Sequence, residues 1–187
     1  MIMACIVGMP GSGKSIIAKA ARDLGIPVYN MGDVVREETM RRYGKITPEL
    51  MRKTSIELRK EYGPQVIALR TIERIKKDKH NGFVVIDGVR SLDEVNVFMQ
   101  HGDVIIIAIH ASPKTRFRRI LERKRPGDPT SWEEFRERDL TELKFGIGNV
   151  IALADYMIVN EGTIEEAYKR AREILEGLQR HVREGRS

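Results

Sequence analysis

The chain reads as an α/β protein, a three-layer sandwich in which helices cover both faces of a five-stranded parallel sheet. Three observations predict this. Five apolar runs, at residues 2–7, 27–29, 83–87, 104–109 and 156–159, alternate with segments of helical periodicity. Most of these runs are continuous rather than alternating, which suits strands buried on both faces. Helix-start signals open the segments between them, as right-handed crossovers returning to one sheet require.

Taken in order, the run at 2–7 leads at once into Gly8-Met9-Pro10-Gly11-Ser12-Gly13-Lys14-Ser15, and residues 16–24 continue as a helix. The second run, at 27–29, is weak. Residues 33–62 hold two amphipathic helices, the later one opened by Thr47-Pro48 with proline at the first helical position, and Gly63-Pro64 opens another. The third run ends in Asp87, after which Ser91 and Glu94 stand three apart in the reciprocal capping pattern. The same pattern recurs at Ser131 and Glu134 and at Thr163 and Glu166. Residues 114–148 form two helices broken at Arg125-Pro126-Gly127-Asp128-Pro129, and residues 183–187 are expected to fray.

With 187 residues, 41% hydrophobic and 32% charged, the chain can bury the core of one domain and is not a disordered polymer. A single domain over residues 1–187 is expected, with a helical insertion at 31–63 and another at 114–148. Both follow strand carboxyl ends, where open α/β sheets bind ligands. The single cysteine, Cys5, lies in the first apolar run and excludes an intrachain disulfide. A reducing, cytoplasmic setting fits, and neither a targeting segment nor a membrane span is expected. The net charge of +6 leaves two classes of partner open, nucleic acid or a polyanionic small molecule.

The strand, glycine turn and helix around residues 8–15 form a phosphate-binding loop. Its backbone N–H groups and the helix amino terminus point at one anion. Lys14 reaches the outer phosphates, and the Ser15 hydroxyl is a magnesium ligand. If the third strand lies beside the first, Asp87 faces this loop and is a second magnesium ligand. Arg90 is close enough to grip two oxygens of a bound phosphate.

Residues 114–126 carry Lys114, Arg116, Arg118, Arg119, Arg123, Lys124 and Arg125 against the single acid Glu122, which places most of the net charge there. Arg116, Arg119 and Arg123 fall on one helix face, as part of either a lid over the phosphates or an RNA-facing patch. Asp33 either caps its helix or acts as general base toward a hydroxyl, and Arg36 either holds an acceptor phosphate or lies on the surface. The four histidines have no metal spacing, and no aromatic pattern suits base stacking.

Six motifs in their order carry a resemblance that spans nearly the whole chain. They are the loop at 8–15, Gly32-Asp33-Val34-Val35-Arg36, Asp87-Gly88-Val89-Arg90, Arg119-Ile120-Leu121-Glu122-Arg123, Arg136-Glu137-Arg138-Asp139, and Ala154-Asp155-Tyr156-Met157-Ile158-Val159-Asn160. With them the chain resembles the nucleotide-kinase branch of the P-loop proteins: adenylate, cytidylate and deoxynucleoside monophosphate kinases and dephospho-coenzyme A kinase. It looks most like an archaeal family related to the last.

The resemblance implies the P-loop nucleoside triphosphate hydrolase fold and a kinase that uses ATP and Mg²⁺. Gly8, Gly11, Ser12, Gly13, Lys14 and Ser15 would hold the triphosphate, and Arg36 and Arg90 the acceptor phosphate. Arg119 would pack on the donor base, Arg123 and Arg138 would reach the transferring group, and Asn160 would border the adenine. The chain departs from adenylate kinases in having only Val89 where they carry Phe-Pro. It also has Lys144 where a second lid arginine stands, and no lid cysteines for zinc.

The reading that follows is phosphoryl transfer from ATP to a small, phosphate-bearing, nucleotide-like acceptor. One alternative is transfer to a hydroxyl with Asp33 as base. Another, of a different class, is an ATP-binding switch with slow hydrolysis, attached to RNA.

Overall fold

The computed structural model describes residues 1–80 and 82–184, with nothing taken from the side chain of Arg183. In chain order the elements are β1 (Ile2–Val7), α1 (Lys14–Asp23), β2 (Val28–Asn30), α2 (Met31–Tyr43), α3 (Pro48–Tyr62), α4 (Val66–Lys77) and β3 (Phe83–Asp87). Then come α5 (Leu92–Met99), β4 (Asp103–His110), α6 (Pro113–Arg123), α7 (Trp132–Lys144), α8 (Ile147–Ala152), β5 (Tyr156–Val159) and α9 (Ile164–Glu184). The expected fraying does not hold for residues 183 and 184, which continue α9; residues 185–187 lie outside the described residues.

The five strands form one parallel sheet in the order β2-β3-β1-β4-β5. With β1 central, Ile6 pairs with Asp87 on one side and Ile107 on the other, which brings the loop after β1 beside the end of β3.

Period-two alternation sorts the strand residues between two apolar layers. Met3, Cys5, Val7, Val84 and Ile86 face α2 to α5 and α8 through Val34, Leu58, Ile67, Phe98 and Val150. Ala4, Ile6, Val85, Ile107 and Ile109 face α1 and α9 through Ile17, Ala21, Ala171 and Leu175. Burial pushes the Cys5 thiol well above its usual range, so it is a small core group and not a nucleophile.

The helix starts follow their local chemistry. Thr47 caps α3 ahead of Pro48, Ser131 and Glu134 form a complete capping box on α7, and Thr163 and Glu166 exchange the same two bonds at α9. Two expectations are corrected. Asn30, not Asp33, caps α2, because its side chain accepts from the Gly32 N–H at 2.7 Å. The region after β4 contains a third helix, α8, set off from α7 by Gly146 in the left-handed conformation. Among the described residues no helix is long and apolar enough to cross a membrane.

Candidate active site

The loop between β1 and α1 is packed so tightly that two of its glycines cannot be replaced. A Cβ at Gly8 would lie 2.5 Å from both the Ile109 carbonyl and the Ser12 hydroxyl. Gly11 has φ +82°, and its Cβ would lie 2.8 Å from the carbonyl of Arg116. Unlike α3, α5, α6 and α7, α1 has no side-chain cap, and no acidic residue stands in its first turn. Its end amides are therefore left for an outside anion.

Lys14 folds back over this loop, donating to the carbonyls of Gly8 at 2.5 Å and Met9 at 3.4 Å. Burial lowers its pKa to about 8 against the opposing pull of Asp87. The charges it feels besides Asp87 are those of Arg90, Glu142 and Arg123, three residues from three distant segments. Ser15 is exposed at the start of α1. Asp87 ends β3 beside the loop. Its Oδ2 accepts from Asn30 at 3.3 Å, its Oδ1 is buried without a partner, and burial raises its pKa despite the nearby Lys14. The Ser12 hydroxyl is likewise buried and unpartnered.

Asn160 is buried against the loop: its amide N–H donates to the Ser12 carbonyl at 2.8 Å, and its Oδ1 is buried without a partner. Arg119 donates to the Asn160 carbonyl at 2.9 Å.

A cavity of about 700 Å³ separates α2 and α3 from α7 and the loop before it. Five arginines line it: Arg52, Arg90, Arg123, Arg125 and Arg138. Arg90 donates to Glu142 at 2.9 Å. Arg123 and Arg138 both donate to Asp128. The tip of this cover rests on the other insertion, since a Cβ at Gly127 would lie 2.5 Å from that of Pro48.

Asp33 and Arg36 pair at 3.8 Å with both side chains more than half exposed, and neither is among the described residues lining the cavity. The Asp33 charge is nonetheless felt at Asp87. Lys144 is exposed at the end of α7 and also does not line it.

The basic run divides by helix face. Arg116, Arg119 and Arg123 turn inward, while Lys114, Arg118 and Lys124 edge an apolar groove formed by Phe117, Leu121 and Trp132.

Sequence reasoning missed the carboxylates Asp128 and Glu142, the cavity residue Arg52, and the buried pair of Arg59 with Glu94 at 2.7 Å. Glu94 carries a capping signal, and the Ser91 hydroxyl does accept from its N–H. Its carboxylate, however, takes bonds from Arg59 and from the Arg90 N–H.

Residues 7–136 match the family model described as an AAA domain. Proteins called UPF0200 are close relatives. The one from Staphylothermus marinus is 63% identical over 95% of this chain and 93% of its own, and that from Hyperthermus butylicus 58% identical over 92% of each. In fold the chain is similar to a shikimate kinase from Bacteroides thetaiotaomicron, with TM-score 0.63, 20% identity, and 94% of this chain and 98% of that one covered. It is similar also to TT1252 from Thermus thermophilus, with TM-score 0.61, 20% identity, and 95% and 97% covered. These likenesses establish the P-loop fold, of the kinase-like kind with five parallel strands. With close relatives along nearly its whole length and the AAA-domain match over residues 7–136, the chain belongs to the UPF0200 family.

Proposed function

We propose that the protein transfers the γ-phosphoryl group of ATP, with Mg²⁺, to a small phosphate-bearing acceptor of nucleotide-like size. One observation carries this reading: Lys14 at the phosphate loop lies in the joint field of Asp87, Arg90, Glu142 and Arg123, and the last three line the arginine-rich cavity. A surface patch would not bring a half-buried ammonium, a partnerless carboxylate oxygen and arginines from two distant segments to one spot.

The loop amides, the α1 amino terminus and Lys14 bind the β- and γ-phosphates. Ser15 and Asp87 would hold the magnesium ion. They fit it because Asp87 keeps a buried oxygen with no protein partner and Ser15 presents a free hydroxyl side. When bound, that ion supplies neutralisation of charge on the transferring phosphates. Arg119 borders the donor near Asn160, which braces the loop from below. Arg90 orients the acceptor phosphate once released from Glu142, and Arg36, exposed on α2, would add a second cation toward it. Arg123 and Arg138 stabilise the equatorial oxygens, and the cover at 124–130 excludes water.

An acceptor phosphate is already an oxyanion and needs no base. An acceptor hydroxyl, as in dephospho-coenzyme A, would give Asp33 the task of taking its proton. Arg116 is buried and Arg119 half-buried, which weakens the RNA-attached switch reading, since that reading needs those cations on the surface.

The test is ADP release with a panel of nucleoside monophosphates, deoxynucleotides and dephospho-coenzyme A, with Lys14→Ala as control. Strong stimulation by one compound supports the reading. A salt-sensitive RNA complex indifferent to ATP, with no stimulation by any compound, overturns it. Loss of turnover with intact binding in Asp33→Asn assigns a hydroxyl acceptor.

A further inference from the structure

Arg116 commits four of its five N–H groups to protein acceptors, and it is the most completely enclosed cation in the basic run at residues 114–125, 4% exposed. Its guanidinium donates to both oxygens of Asp139 on α7, at 2.8 and 2.6 Å. It also donates to the Pro10 carbonyl of the phosphate loop and the Ala111 carbonyl beyond β4, each at 3.1 Å. Its flat face lies 4.9 Å from the centre of the Phe135 ring. The main chain of the same residue presses on Gly11, so α6 touches the loop twice.

One side chain therefore joins three parts of the site. Arg123 lies two turns further along the helix that carries Arg116, and Arg138 is the residue before Asp139. The separation and register of those two arginines relative to the loop are set at this junction. Opening it would strand a buried charge, which proteins strongly resist. The hinge of the cover must then lie beyond it, in residues 124–130.

We infer that Arg116 and Asp139 are a positioning pair that couples the phosphate loop to α7, so that filling the loop with triphosphate is felt through the Pro10 carbonyl as a movement that aims Arg123 and Arg138. This rests on the phosphotransferase reading. The two-pronged geometry is essential to it, because a lysine cannot reproduce a bidentate grip on a carboxylate while also reaching two carbonyls.

The single tryptophan, Trp132, supplies the readout. Its ring stacks 5.2 Å from that of Phe135, the ring against which Arg116 lies. Calorimetry and Trp132 emission are measured on the same samples with Mg²⁺ and a non-hydrolysable ATP analogue. In the unaltered protein, heat and a saturable emission change are expected at the same midpoint. In Asp139→Asn, the heat-derived affinity stays within about threefold, whereas the emission change falls to roughly a quarter or less. Asp139→Glu, which keeps the charge, recovers part of it. Should Asp139→Asn fail to fold, Arg116→Lys carries the same comparison.

Lowered melting temperature with an unaltered emission response would make the pair structural only and overturn the coupling. An unaltered protein that gives heat but no emission change overturns it as well. Absence of heat from the unaltered protein sinks the phosphotransferase reading itself, and the two failures are thereby told apart.

Discussion

Arg123 and Asp128 face each other as a two-bond pair, Nε to Oδ2 and Nη2 to Oδ1, each at 2.7 Å. Arg138 adds a bond to the same carboxylate at 3.2 Å. Asp128 thus takes the place that a phosphate would take between the two guanidinium groups. Asp128→Asn removes this competitor. The expected result is Mg·ATP affinity raised by about 3- to 10-fold in calorimetry. Equal or weaker binding would show that Arg123 and Arg138 do not meet the nucleotide.

Among the described residues Lys14 donates to two loop carbonyls, those of Gly8 and Met9. Its replacement by alanine costs the fold little, because a desolvated ammonium is removed along with its bonds. Nucleotide binding loses its charge-assisted contacts instead. Lys14→Ala is expected to weaken Mg·ATP by about 100-fold or more while the melting temperature holds within a few degrees. A variant that binds ATP normally would refute the role of the loop.

Glu38 gathers the helices between β2 and β3. Its carboxylate pairs with Arg41 at 2.6 Å and Arg42 at 2.5 Å on α2 and with Arg70 of α4 at 3.3 Å. Arg42 reaches on to Glu57 and Glu61 of α3. The hydrogen bond from Arg41, joined by that from Arg42, outweighs burial and holds Glu38 down at about 2, against 4.5 for a free side chain. A depressed carboxylate stabilises the fold above its unfolded pKa, and that stability drains away as pH falls from 4.5 through about 2. The unaltered protein should lose about 2–3 kcal/mol across this window by denaturant titration. Glu38→Gln should be weaker at neutral pH and change less on acidification.

The pair of Arg59 and Glu94 is enclosed, with Glu94 inaccessible and Arg59 only 12% exposed. Glu94→Ala strands the guanidinium and also removes the acceptor for the Arg90 N–H. A loss of about 3–5 kcal/mol is expected on unfolding. Arg59→Met together with Glu94→Leu should recover most of it, since the apolar pair leaves no charge to solvate.

The sheet could be read from the sequence because its strands are apolar runs, buried in β1 and β3: β1, β3 and β5 match their expected bounds, and β2 and β4 differ by one residue at each end. The loop at 8–15 was legible for a similar reason, since its chemistry is local. What stayed hidden is whom each charge faces. Arg116 and Asp139 are 23 residues apart and Arg59 and Glu94 35 apart, so only folding brings them together. The run at 114–125 shows its charge in the sequence but not its division between an inward and an outward face. Asp33 suits a cap by residue type, but so does Asn30, and only backbone geometry at α2 selects Asn30.

The central place of β1 has a consequence for the order of folding. Its two neighbours in the sheet are residues 83–87 and 103–110, so neither edge is satisfied until distant segments of the chain have docked on it. The turn that follows β1 is itself pressed by Ile109 and Arg116, so its shape is the product of long-range assembly and not of its own eight residues.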